Sequence, residues 1–130
     1  MKYMLMMNAP YGDGDYAIFD WSKEDLDRHV AFMKELNADL ASAGEMVAGE
    51  GLTPPGQAKI VKAGDDHEPE ITDGPFAESK EFLAGFWIVD VESAERAYAI
   101  AARVSTAPGP GGEPLHMAVE VRQVMGAPPA

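Results

Sequence analysis

Two segments of this 130-residue chain repeat their apolar side chains with the period of a helix, while the segments around them alternate in period two or run apolar throughout. The order in which those periods switch limits the fold more than any other feature. In the first helical segment Leu26, Val30, Met33, Leu36 and Leu40 recur at steps of four, three, three and four, which is one face of an α-helix. Ser22 and Asp25 have the S-x-x-D spacing of a capping box, and Ala43-Gly44 supplies the stop. In the second, Ser93 caps a helix whose buried stripe reads as Ala94, Ala97, Tyr98, Ala101 and Val104, with Glu95, Arg96 and Arg103 in water.

Strands fill the rest. Lys2–Asn8 is apolar on both faces, the mark of a buried strand, and Ala9-Pro10 ends it. Met46–Leu52 is a second strand. Gln57–Ala63 alternates in period two, Gly64–His67 turns, and Glu68–Thr72 returns, so residues 57–72 read as a β-hairpin with His67 at its tip. Leu83–Val91 is strongly apolar and therefore central. His116–Val124 is the last strand, with Met117, Val119 and Val121 on one side and His116, Ala118, Glu120 and Arg122 on the other. Tyr11–Tyr16 is an acidic surface loop without the ligand spacing of a calcium loop. Ala107–Pro114 is rich in glycine and proline and excludes regular structure; its glycines lack the spacing of a phosphate loop.

The order β, α, β, hairpin, β, α, β becomes βαββαβ once the hairpin is set aside. The expected fold is α+β, a ferredoxin-like sandwich with an inserted β-hairpin. One domain is expected over 1–125, with 126–130 a flexible tail. Both helices would cover one sheet face. The other, part apolar and part charged, is expected to meet a second copy and form a homodimer through the sheet faces.

Composition excludes several functions. The 22 acidic residues against 10 basic give a formal charge of −12, which repels nucleic-acid phosphates and anionic membranes. With no cysteine there is no disulfide or thiolate chemistry. The apolar opening Met4–Met7 is too short for a signal peptide, and no run approaches a membrane span, so a cytoplasmic location is expected. His29, His67 and His116 are scattered, so no metal site is expected, nor any cofactor.

Two polar residues interrupt the first helix's apolar stripe. His29 and Asn37 fall inside its arc, whereas Arg28, Glu35 and Asp39 fall outside. An imidazole aimed at a sheet needs a hydrogen-bond partner: either a backbone carbonyl satisfies it as a core residue, or it serves as an acid, base or ligand contact.

The stretch TDGPFAESKEFLAGFWIVDV, with AGEGLTPPGQAKIV before it and AVEVRQVM after it, resembles the YCII-related family. Within that family it is similar to the DGPF branch, marked here by Asp73, Gly74, Pro75, Phe76, Ala77, Glu78, Ser79, Lys80 and Glu81. The resemblance runs from Lys2 to about Met125 and implies a ferredoxin-like protomer in a dimeric α+β barrel. It also implies a site built on a helix histidine and an aspartate; His29 matches the first in position and Asp73 is the candidate for the second. Some branch members resemble companions of extracytoplasmic-function sigma factors, and related barrel families include cofactor-free monooxygenases and muconolactone isomerases.

Asp73-Gly74-Pro75 has two readings. As a turn, Asp73 bonds nearby amides, Gly74 takes open dihedrals and Pro75 fixes φ; Phe76 then fills core space and Glu78, Lys80 and Glu81 are solvated. As a site, Asp73 hydrogen-bonds His29 and raises its basicity, so that the pair moves a proton on a small carbon acid. Glu120 and Arg122 would then hold a polar substrate group, or form an ion-paired dimer contact instead. Trp21, Phe86, Trp87 and the methionines read as packing rather than a cofactor box. Three functions follow: a small-molecule enzyme using His29 and Asp73, a non-catalytic ligand-binding dimer, or a regulatory partner of a sigma factor.

Overall fold

The computed structural model describes residues 1–10, 18–75 and 81–126. Eight elements of regular structure are described: β1 (Lys2–Pro10), α1 (Lys23–Ser42), β2 (Met46–Gly51), β3 (Lys59–Ala63), β4 (Pro69–Asp73), β5 (Glu81–Asp90), α2 (Ala94–Ser105) and β6 (Val119–Gln123). The loop at Tyr11–Tyr16, motif residues Phe76, Glu78 and Lys80, and the tail from residue 127 lie outside the described residues.

Four strands form one antiparallel sheet in the order β2-β5-β1-β6, while β3 and β4 form a separate two-stranded sheet. The two most apolar strands, β1 and β5, take the centre, each flanked by a strand on both edges. Alternation then divides their side chains. Tyr3, Leu5, Met7 and Ala9 of β1, with Trp87 and Val89 of β5, are buried on the helix side. Met4, Met6, Phe86 and Ile88 lie on the other side and are half-buried, beside Glu120 and Arg122 of β6.

The helices close the first face with Leu36 and Leu40 from α1 and Ala97, Ile100, Ala101 and Val104 from α2. Leu36, 0% exposed, contributes about 2 kcal/mol through this burial. Serine caps start both helices: Ser22 Oγ accepts from the Asp25 amide at 3.1 Å and Ser93 Oγ from the Arg96 amide at 3.2 Å. The second stripe differs from expectation at one residue. Tyr98 is 56% exposed and Ile100 is 2% exposed, because Ala97, Ala101 and Val104 centre the buried arc on the side of Ile100. Val30, at the edge of the first stripe, is exposed as well.

Two junctions shape the site. The register of β1 on β5 shifts between Met7 and Asn8, leaving Ala84 as an extra residue and opening the end of the sheet below α1. After α2 the chain folds into a compact loop, closed by Leu115 N–H to Ala107 O at 2.9 Å and Gly109 N–H to Glu113 O at 2.7 Å. Its centre is a short 3-10 turn at Pro110–Gly112, where Gly111 has φ 70° and Gly112 φ 80°, conformations that favour glycine.

Candidate functional site

Helix α1 crosses the opened end of the sheet and leaves a cavity of about 540 Å³. The stripe that α1 presents there contains Leu26, His29, Met33 and Asn37; Met7, Trp87 and Phe82 are among the residues opposite. Among the described residues no lysine or arginine lines it; Asp20, His29 and Asn37 are its polar side chains, while Glu50 pairs with Phe86 and so points to the other sheet face. The two polar residues that interrupt the helix stripe therefore both line the cavity.

His29 is 4% exposed, the one buried polar or charged residue among those described. Its Nδ1 lies 2.9 Å from the carbonyl oxygen of Pro108, in the loop after α2. A carbonyl can only accept, so Nδ1 carries the proton and, in the neutral ring, Nε2 holds the lone pair. Trp21 meets the imidazole edge-on, with centroids 5.3 Å apart and planes at 84°. No enclosed side-chain nitrogen or oxygen among the described residues lacks a partner, and Nε2 bonds to none of them, so it reaches open space. His29 is among the residues that line the cavity.

Asn37 is arranged on the same plan. Its Oδ1 accepts from Trp87 Nε1 at 2.9 Å, which fixes the orientation of the amide and leaves its –NH₂ as the group available to a ligand. Trp87 is thereby a core residue with its one polar atom satisfied, in keeping with its reading as packing.

The other site residues read from the sequence lie elsewhere. Asp73 ends β4 on the separate hairpin; its side chain is 88% exposed and accepts from Lys59 Nζ at 2.5 Å. The expected hydrogen bond between His29 and Asp73 is not made within the protomer: one is bonded to Pro108, the other to Lys59. The turn reading needs correction too. Gly74 does not adopt a positive φ; its amide donates to Ala58 O at 2.8 Å, and a Cβ there would stand 3.2 Å from Ala58 Cβ. Glycine is favoured by this close approach, not by open dihedrals, and Asp73 binds a lysine rather than its own turn. The peptide bond Gly74–Pro75 is cis.

Glu120 and Arg122 pair with Met6 and Met4 on the sheet face away from the helices. The sheet itself lies between them and the cavity, so they do not share a ligand with His29 inside one protomer. His67 sits at the hairpin tip and His116 just before β6, both with positive φ and both exposed.

Sequence reasoning missed one participant, the carbonyl of Pro108. The signal was present in the density of glycine and proline over residues 107–114, which marks a backbone shape held for a purpose, but its target on α1 is a tertiary contact.

The family model described as the YCII-related domain matches residues 1–112. An uncharacterized protein of Rhizobium meliloti (strain 1021) is 34% identical over 89 residues, which is 67% of this chain and 69% of that protein. The matched region carries β1 through α2, and with them every α1 residue of the cavity and the Pro108 carbonyl that holds the imidazole. The chain belongs to the YCII-related family.

Proposed function

We propose that the cavity between α1 and the sheet binds a small, largely apolar, uncharged organic molecule, and that His29 exchanges a proton with it through Nε2. The observation that carries this is the 2.9 Å contact of Nδ1 with the Pro108 carbonyl, which leaves Nε2 unprotonated beside the cavity. The orienting role expected of Asp73 falls to that carbonyl. An anionic substrate is disfavoured, since the described lining includes Asp20 and no lysine or arginine, in a chain of formal charge −12.

The step that suits this arrangement is enolisation of a carbonyl compound. Nε2 takes a proton from the carbon beside the carbonyl, the C–H electron pair becomes a C=C bond, and the carbonyl oxygen takes the negative charge. Return of the proton to the same or a neighbouring carbon completes exchange or isomerisation, with no oxidant or cofactor required. The Asn37 amide is a donor for an oxygen at the other end of the ligand. The mostly apolar lining also favours a second reading, a non-catalytic binding protein, which shares the ligand class and lacks the proton transfer.

In the same proposal the protomer is ferredoxin-like and two copies pair through their open sheet faces in a dimeric α+β barrel. The strand order β2-β5-β1-β6 and the half-buried Met4, Met6, Phe86 and Ile88 support it. Glu120 and Arg122 then belong to the dimer contact rather than to the substrate.

The test is deuterium exchange at the α-carbons of uncharged cyclic ketones, followed by proton NMR with wild type and His29→Gln. The wild type is expected to accelerate exchange by about 10²-fold or more over buffer, and the variant to fall to background. Binding of the same ketones without acceleration would leave the non-catalytic reading. Tighter binding of the matching carboxylates would refute the ligand class.

A further inference from the structure

We propose that Asp25 is a positioning residue for His29, acting through the loop of residues 107–115. The proposal rests on the proton-transfer reading of His29 for its functional meaning, but its geometry stands on separate contacts. Asp25 and His29 are four residues apart on α1, one turn along the same face. Each is tied to the same loop. His29 Nδ1–H donates to Pro108 O at 2.9 Å, and Asp25 Oδ1 accepts the Gly111 amide at 3.2 Å.

The spacing of Asp25 from Ser22 suggests a capping box, but only half of the box is made. Ser22 Oγ accepts the Asp25 amide, while the Asp25 carboxylate binds Gly111 N–H and, at 3.2 Å, Arg28 Nη1. Its side chain is 19% exposed, so the contact is partly shielded from water. The loop between the two tethers has little freedom of its own. Gly112 N–H closes on Gly109 O at 3.0 Å, Gly109 N–H closes on Glu113 O, and a Cβ on Gly109 would stand 2.5 Å from Leu115 Cδ2. Gly111 offers its amide to the carboxylate because it holds φ 70°, which a side chain would strain. A loop closed on itself and pinned at Gly111 presents the Pro108 carbonyl in one place. That place selects the Nδ1–H tautomer and leaves Nε2 open to the cavity.

The test compares Asp25→Ala with Asp25→Asn, reading the His29 ring nitrogens by nitrogen-15 NMR at a pH where the ring is neutral. Both variants lose the negative charge near the helix start, but asparagine keeps an oxygen for the Gly111 amide. The expected result is a mixture of tautomers in Asp25→Ala, with the two nitrogen shifts converging, and the native Nδ1–H pattern in Asp25→Asn. The Gly111 amide is expected to exchange about tenfold faster in Asp25→Ala and near the native rate in Asp25→Asn. An unchanged tautomer in both variants overturns the proposal, and so does its loss in both, which would assign the effect to charge at the helix start. If Asp25→Ala fails to fold, the wild type decides: a Gly111 amide exchanging as freely as an open loop overturns it. These readouts need no ligand. Inertness of His29 toward ketones refutes the proposed chemistry and leaves this result standing.

Discussion

His29 and Asp73 occupy opposite extremes of this molecule. The imidazole is 4% exposed, held by a carbonyl 79 residues away in sequence and set against an aromatic ring. The carboxylate is 88% exposed on a two-stranded hairpin and bonds its cross-strand neighbour Lys59. One lies where two layers of structure meet, the other on a segment with little structure behind it. The difference teaches that a conspicuous motif and a reactive position need not coincide. Asp-Gly-Pro draws the eye because its backbone is constrained, and that constraint is met by a close approach to Ala58.

The contrast can be broken by measurement. The largest effect is expected at the buried end: His29→Ala leaves a void and an unpaired Pro108 carbonyl, and should cost about 2–3 kcal/mol in urea unfolding. A loss below about 0.5 kcal/mol would mean that the imidazole is not held as described. Next comes Asn37→Ala, which strands the Trp87 indole N–H and should cost about 1–2 kcal/mol. Combined with Trp87→Phe, the two losses should add to less than their sum, since the donor and acceptor disappear together.

An intermediate case is the forked pair of Arg96 and Glu45, with contacts of 2.9 and 2.8 Å joining α2 to the start of β2. The Arg96 hydrogen bonds hold the Glu45 carboxyl below its ordinary value of 4.5, against an opposing effect of burial. A lowered folded-state pKa gives stability that is complete above the ordinary glutamate value and lost as pH falls through the lowered one. Acid unfolding below about pH 4.5 should therefore be shallower in Arg96→Met, with a neutral-pH loss of about 0.5–1 kcal/mol because Arg96 is nearly half exposed. The smallest effect belongs to Asp73→Asn, expected within about 0.5 kcal/mol of wild type. A loss above about 1 kcal/mol there would show that the hairpin is covered in the assembled protein, and would narrow the contrast with His29.

Much of the fold was legible because periodicity is a local property. The stripe of α1, its serine cap, the apolar β1 and β5 and the hairpin all follow from which side chains recur at which spacing. Tyr98 lies at the edge of the arc set by Ala97, Ala101 and Val104, where spacing alone does not separate a buried from an exposed residue. At the site, sequence marked His29 and Asn37 as polar residues on an apolar stripe, which is where they face the cavity. Of the two partners open to His29, a backbone carbonyl or the Asp73 carboxylate, the structure shows the carbonyl; which carbonyl was not legible, because every residue has one and only its position distinguishes it.

By itself the sequence determined the order of elements, the acidic charge, and the face of α1 on which an imidazole must find a partner. Those depend on residue type and spacing along one element. The tertiary structure alone decided that a bulge at Ala84 opens the sheet beneath α1, that the Pro108 carbonyl meets Nδ1, and that Asp73 stands apart on its hairpin. Each is a contact between segments distant in the chain, and such contacts arise from the closure of layers around a core rather than from any local preference.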